Sequence, residues 1–309
     1  RVIGNNVANA STTGFKKSRA EFADVYAATD GAASTAIGAG VRLAGVSQQF
    51  GQGNIGFTNS KLDLAINGRG FFVLDDSGSR EYTRAGNFQV DREGFLTNPD
   101  GAKLVVNGAD NNGAITGAVG PLQLDRSNIT PQATNRVDVG LNLDSTETRP
   151  PTTPFSPDIP SSFNSSTSLS VFDSLGGSHL ATMYYVKGEQ PGEWEMYTLV
   201  DGKDIHGNQA PPLAFDTLGF DGAGQLSNIN GTPVPPGTID YPEFDTGSGA
   251  DPLKLSMNML SNSPITQFGT RFNVSELTQN GFTSGRLSGI DFDDTGVIRA
   301  RYSNGQTRT

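Results

Sequence analysis

The sequence predicts a mainly β protein: two β-rich domains, barrel- or sandwich-like, the outer one inserted into the inner one, with a short N-terminal helical segment. Three observations carry this. Apolar residues recur in short alternating runs separated by turn residues. Glycine supplies 39 of the 309 residues, about twice its usual share, so the runs are interrupted often. Charge is also unevenly placed: residues 1–140 hold 13 basic and 13 acidic side chains, residues 141–260 hold 4 and 15, and residues 261–309 hold 5 and 4. An acidic stretch between two neutral ones reads as a domain of residues 141–260 inserted into a body of residues 1–140 plus 261–309.

Only the start carries helical spacing. Residues 1–10 read as the tail of a helix, and residues 18–28 place Phe22, Val25 and Tyr26 on one helical side. Ala10-Ser11-Thr12-Thr13-Gly14 breaks the pattern between them. Strands follow. Leu62, Leu64 and Ile66 alternate with Asp63, Ala65 and Asn67, and further runs cover residues 71–74, 82–90, 94–97, 103–107 and 137–143. Asp76-Ser77-Gly78, Asp91-Arg92-Glu93-Gly94 and Asn98-Pro99-Asp100-Gly101 separate them with residues that initiate turns or accept positive φ. Residues 144–168 hold five prolines among many Ser and Thr, and residues 231–252 form a second loose stretch. Between and beyond these, residues 168–173, 179–187, 193–200 and 253–259 read as strands, with Trp194, Met196, Thr198 and Val200 on one face. Residues 287–292 and 296–302 flank Asp293-Asp294-Thr295 as a hairpin.

Composition excludes several classes. Without cysteine there is no disulfide frame, thiolate metal site or thiol nucleophile. No apolar run approaches the length of a membrane span, and no signal segment opens the chain. A net charge of −10 argues against nucleic acid as a partner.

Candidate chemistry is sparse. Gly51-Gln52-Gly53-Asn54-Ile55-Gly56 has dinucleotide-loop spacing, but a strand pattern follows it where a helix is required, so it reads as a turn. Asp291, Asp293 and Gly296 occupy calcium-loop positions, yet the twelfth position is Tyr302, which cannot supply a bidentate carboxylate. His179 and His206 are too few and too far apart for a histidine metal site, and His179 is expected to point outward at a strand start. Glu193 and Glu195 share a strand face as a carboxylate pair would, within a stretch acidic throughout. Tyr184, Tyr185, Trp194 and Tyr197 suit either a sugar platform or core packing. Lys16-Lys17-Arg19, followed by Glu21 and Asp24, suits helix-face ion pairs or a subunit contact. No catalytic, cofactor or metal site assembles, and no enzyme activity is expected.

Two end regions carry a resemblance. Asn5-Asn6-Val7-Ala8-Asn9-Ala10 and Thr13-Gly14-Phe15-Lys16 resemble the N-terminal signature of the bacterial flagellar rod and hook axial protein family. The continuation Ser18-Arg19-Ala20-Glu21-Phe22-Ala23-Asp24-Val25-Tyr26 resembles its hook branch, as do Gly281-Phe282-Thr283-Ser284-Gly285-Arg286 and Tyr302-Ser303-Asn304-Gly305-Gln306. Asn67-Gly68-Arg69-Gly70-Phe71-Phe72-Val73 and Tyr82-Thr83-Arg84-Ala85-Gly86-Asn87-Phe88 are similar to segments that hook and distal-rod subunits share, and Val171-Phe172-Asp173-Ser174-Leu175-Gly176 extends the likeness into the acidic stretch. The resemblance implies a structural subunit exported without a cleaved signal through the flagellar type III apparatus. It implies assembly outside the cell with other copies of itself into a curved helical tube, a universal joint carrying torque from rod to filament. Distal rod, hook cap and hook–filament junction proteins are the further partners implied, with no cofactor, nucleic acid or membrane insertion. The sequence starts without Met inside a helical pattern and stops after a strand, which reads as a fragment lacking most of the terminal helices. Motif position picks out Phe15, Lys16, Lys17, Arg19, Phe22, Tyr26, Arg84 and Asn87 as subunit-interface residues. The alternatives are a distal-rod or hook-associated subunit, and a secreted carbohydrate-binding or carbohydrate-active β protein.

Overall fold

A computed structural model describes residues 1–24, 40–110, 114–207 and 213–309. The chain forms two compact units: Arg1–Ser127 with Leu287–Arg301 and Thr307–Thr309, and Asn128–Arg286 with Tyr302–Gln306.

The first unit opens with α1 (Val2–Ala8). None of its residues is buried, and Asn6 ties it down: the side-chain amide donates to the Ser18 carbonyl (2.7 Å), and its oxygen accepts the Ser18 N–H (2.9 Å). Ser18 begins β1 (Ser18–Asp24), which pairs antiparallel with β2 (Val41–Gln48). Residues 18–24 are therefore extended, not helical as their spacing suggests. The helical reading weighs only local periodicity, whereas β2 supplies a hydrogen-bonding partner from a segment not adjacent in sequence. Residues 25–28 of that reading lie outside the described residues. The main sheet of this unit uses β3 (Phe72–Asp76), β4 (Ser79–Thr83), β5 (Gln89–Val90), β6 (Leu96–Thr97), β7 (Lys103–Ala109) and β8 (Ile115–Pro121), in the order β4-β3-β7-β6-β5 with β8 on β7. Leu74, Phe88, Leu96, Ala102 and Leu104 form its core. Residues 62–66 alternate but make no strand. Asp63 bridges Asn87, and Leu62 and Leu64 pack on the core from a loop.

The second unit is built around β9 (Arg136–Asp144), whose Val137, Val139, Leu141 and Leu143 are fully buried. There follow β10 (Ser165–Phe172), β11 (Ser178–Lys187), β12 (Glu193–Val200), β13 (Lys203–Asp204), β14 (Asp216–Phe220), β15 (Leu226–Ile229) and β16 (Thr232–Pro233). These make one sheet, ordered β10-β11-β12-β14-β15-β16 with β13 on β12. A second, mixed sheet adds β17 (Thr238–Asp240), β18 (Ser256–Asn258), β19 (Thr266–Phe268) and β20 (Asn273–Gln279) around β9, which is parallel to β18 and β19 and antiparallel to β20. Both sheets contribute to one core that holds Trp194, Met196, Met257 and Leu141. The opposite face of the larger sheet is also covered, by Phe155 and Phe163 against Tyr184, Tyr197 and Leu199. The division falls at residues 127/128 and 286/287 rather than at 140 and 261. The cause is β9, whose partners come from residues 256–279, so both flanks of the acidic stretch join it. Charge marks surface and is blind to strand pairing. The loose stretch 231–252 contains β17, the Phe244–Leu253 bridge and buried Tyr241.

Near the end of the chain, β21 (Leu287–Phe292), β22 (Ile298–Tyr302) and β23 (Thr307–Arg308) form a three-stranded sheet. The turn joining β21 to β22 is one of five built alike among the described residues. Asp91, Asn98, Asp173, Asp221 and Asp293 each turn a side-chain oxygen back to accept the N–H groups two and four residues on. In each, the fourth residue is a glycine at positive φ, a conformation that costs glycine little.

Candidate subunit-interface site

The interface residues chosen by motif position separate into two groups. The first surrounds Arg84. Gly14, at φ 77°, packs so closely on the Arg84–Ala85 backbone that a Cβ would lie 2.6 Å from the Arg84 carbonyl carbon. That approach sets Phe15 and Lys16 beside the segment that carries Arg84. The Lys16 ammonium donates to the Gly51 carbonyl (2.8 Å). The Arg84 guanidinium donates to the Gly68 carbonyl (2.6 Å), the Ile66 carbonyl (3.2 Å) and the Gln52 side chain (3.4 Å), and lies 5.4 Å from the centroid of the Phe71 ring. Phe71 meets Phe50 edge-on at 5.7 Å. Arg84 thus ties two segments together, the 66–68 loop through two main-chain oxygens and Gln52 through its side chain, and here its fixed fork of donors matters more than its charge. Replacing it with alanine is expected to cost about 1–3 kcal/mol locally and to raise amide exchange across residues 50–70, with lysine restoring less than half. Uniform exchange between variants and wild type would contradict this role.

Asn87 only bridges Asp63 through its backbone, and its side chain faces solvent. Its neighbour Gly86 has a stricter constraint. The Gly86 carbonyl accepts the Leu64 N–H (2.8 Å), and a Cβ on Gly86 would overlap the Leu64 carbonyl, so the glycine of Arg84-Ala85-Gly86-Asn87 is sterically required.

The second group lies on the β1–β2 ribbon. Arg19 and Phe22 are exposed, Lys17 is exposed just before β1, and no ion pair found among the described residues includes Lys16, Lys17, Arg19 or Glu21. The helix-face salt bridges fail because the segment is a strand. Glu21 instead accepts the Ser47 hydroxyl across the ribbon (2.6 Å). Phe22 stands opposite Leu43, and both are exposed, as are Val41 and Val46. Tyr26 lies outside the described residues. A two-stranded ribbon with its apolar side chains in water has little stability of its own. Thirteen of the nineteen large apolar side chains exposed among the described residues belong to the first unit, Phe57 at 98% being the extreme.

The acidic unit presents less for a partner to grip, and its candidate chemistry is internal. Tyr185 and Trp194 are in the main core, while Tyr184 and Tyr197 pack under Phe155 and Phe163, so the four aromatics make no open platform. Glu195 accepts the Tyr197 hydroxyl (2.8 Å) and pairs with Arg149 (3.3 Å), which also reaches Glu189 (3.2 Å). Asp291 is taken by Lys61 (2.9 Å) and Arg301 (3.0 Å), and Asp293 by its own turn. No group of three or more His, Cys, Asp or Glu arranged to hold a metal occurs among the described residues. His179 is buried rather than outward, with Asp173 and Asp201 on its two ring nitrogens. His206 lies against Asp204 (3.1 Å) and Asp216 (3.6 Å), and Asp216 is the main cause raising its pKa above 6.5. Of these pairings, only that of His206 with Asp204 lies within local sequence spacing.

The chain matches three family models: flagella basal body rod protein over residues 1–16, the flagellar hook protein FlgE/F/G D1 domain over residues 65–141, and the flagellar basal body protein FlaE D2 domain over residues 142–282. Flagellar hook protein FlgE of Escherichia coli K12 is 33% identical over 311 residues, covering 99% of this chain and 72% of that protein. The chain belongs to the flagellar hook protein FlgE family. A more distant FlgE, from Borreliella burgdorferi, is 29% identical across 99% of this chain and 74% of its own length. Among solved structures, Helicobacter pylori flagellar hook protein FlgE2 superposes with a TM-score of 0.55 at 13% identity, covering 81% of this chain and 87% of that one, so the FlgE fold is shared. Arg84 therefore joins the FlgE/F/G D1 match to Gln52, outside it, beside the bond that ties Lys16 of the rod-protein match to Gly51.

Proposed function

We propose that this chain is a structural subunit of the bacterial flagellar hook that polymerises with its own copies into a curved, flexible tube. The tube acts as a universal joint, passing motor torque from the distal rod to the filament outside the cell. The hook cap, the hook–filament junction proteins and the type III export apparatus are its other partners. Membership of the FlgE family supports this reading. The observation that carries the mechanism is the contrast between the units. The first leaves an apolar ribbon and a phenylalanine cluster in water, surface that copies of the chain would bury on assembly. The second covers both faces of its larger sheet internally and carries the acidic surface. Contacts through the first unit are strong enough to bear load. Those through the second are polar and wet, with few buried anchors, and can slide as each row of subunits shortens and lengthens with rotation.

Phe22→Asp in the full-length chain is the test. The substitution lies on an exposed strand, so folding should be kept while assembly into tubes falls at least tenfold, as expected for a central apolar contact. Leu180→Asp, exposed on the second unit, should polymerise near the wild-type rate. Normal tubes from Phe22→Asp, or loss of tubes from Leu180→Asp alone, would reverse the assignment of load-bearing and sliding surfaces.

A further inference from the structure

His179 connects three segments of the second unit. Its Nδ1 lies 2.6 Å from Asp201 Oδ2, on the turn after β12, and its Nε2 lies 3.1 Å from Asp173 Oδ2, on the turn after β10. Asp173 is 1% exposed. Its Oδ1 accepts the N–H groups of Leu175 and Gly177, and its Oδ2 also accepts the Ser248 hydroxyl (2.8 Å). One residue on, the Ser174 hydroxyl accepts the Asp251 N–H (2.9 Å). The 245–251 loop is therefore fastened to the turn that His179 holds. A neutral imidazole has one N–H and one lone pair. With a carboxylate oxygen at each nitrogen, the neutral ring would aim its lone pair at one of them, and only the imidazolium donates to both.

We propose that His179 is a proton-operated clasp: as imidazolium it bridges Asp173 and Asp201 and keeps the 245–251 loop docked, and loss of the ring proton releases the loop. The charged neighbours are few. Asp173 and Asp201 face the ring, Lys203 acts on Asp201, and within the loop Asp245 is turned onto the Gly247 N–H (2.8 Å). The Glu243–Lys254 pair (2.7 Å) flanks the loop where Phe244 bridges Leu253. Burial disfavours charge on His179, but the bonds to Asp201 and Asp173 outweigh it and hold the ring's pKa above 6.5. Burial likewise pushes Asp173 up, but hydrogen bonds from His179, Ser248, Gly177 and Leu175 bring it down to about 2. A raised histidine contributes stability that is complete below its unfolded value of 6.5 and is lost as pH rises through the folded one; the lowered Asp173 contributes above 3.8 and loses it as pH falls toward about 2. The clasp is closed in mildly acid solution and opens as pH rises through the folded value of the ring, which lies above 6.5.

The experiment follows the intact chain from pH 5 to 10, recording ring nitrogen resonances of both histidines and amide exchange corrected for base catalysis. His179 is expected to be doubly protonated at pH 6.5. Exchange at Gly177 and Asp251 should rise about tenfold or more, the effect of one charge-assisted hydrogen bond, over the range in which that ring loses its proton. His206 touches none of the clasp residues, and its separate resonance identifies which ring drives the change. His179→Gln, with a single amide to donate, should leave the loop loose at every pH. A neutral His179 ring at pH 6.5, protection unchanged through its titration, or wild-type pH dependence in His179→Gln would each overturn the proposal.

Discussion

Trp194→Ala is expected to lower the stability of the second unit by about 3–5 kcal/mol, the usual cost of emptying an aromatic site in a packed core. Trp194 is 1% exposed, and on β12 it stands between Lys187 of β11 and Leu218 of β14. Its Nε1 donates to the Gln267 side chain (3.0 Å), and the Lys187 ammonium lies 4.7 Å from the ring centroid. Truncation would leave a cavity, an unpaired amide oxygen and a buried cation without its aromatic face, so three penalties add. Phenylalanine at this position should recover most of the packing and none of the hydrogen bond. Because this is the sole tryptophan, the variants must be compared by circular dichroism in denaturant rather than by intrinsic fluorescence. A loss under about 1 kcal/mol would show that the ring is not part of the core.

Gly140→Ala should be as damaging although it adds only a methyl group. Gly140 sits in the middle of β9, and a Cβ there would overlap the Ser263 carbonyl, with the Ser263 side chain 2.9 Å away. Backbone cannot rotate aside as a side chain can. The expected cost is about 3 kcal/mol or more, at the upper end of over-packing penalties. Gly45→Ala in β2 is the matched control, since nothing lies within 4 Å of its Cβ position, and its stability should change by less than about 0.5 kcal/mol. Melting temperatures of the two variants decide the matter: equal values would mean that β9 and the Ser263 segment are not in contact.

Where local chemistry is sufficient, the sequence was legible. The alternation of Trp194, Met196, Thr198 and Val200 predicts the buried face of β12 correctly, even to Thr198, whose hydroxyl meets the Tyr241 hydroxyl at 3.0 Å in the core. The turns at Asp91, Asn98 and Asp293 were equally readable, because side-chain oxygen, spacing and glycine lie within five residues. Legibility failed wherever a partner was remote. The β1 segment reads as helix until β2 is known. Asp201 is 22 residues from His179, so nothing near the histidine announces a carboxylate on each nitrogen. In the candidate interface, motif position picks out Lys16, Phe22 and Arg84 alike, and cannot tell that Lys16 and Arg84 are spent on loop carbonyls while Phe22, with Leu43 opposite it on the ribbon, is exposed. A charge tally could not place the strand at residues 137–143 either, since its assignment rests on apolar pairing with a segment well over a hundred residues away.

That long reach has a temporal consequence. Thr134, just ahead of β9, is hydrogen-bonded to Gln279, 145 residues later, and β9 takes its antiparallel neighbour from the same distant segment. Closing so large a loop is entropically slow, and the central strand gains its last partner only at the end. A polypeptide delivered amino end first through a narrow conduit therefore cannot complete this sheet until residue 279 has emerged. On the proposed export route, this order of strands would leave the sheet incomplete in transit and let it close only on the far side.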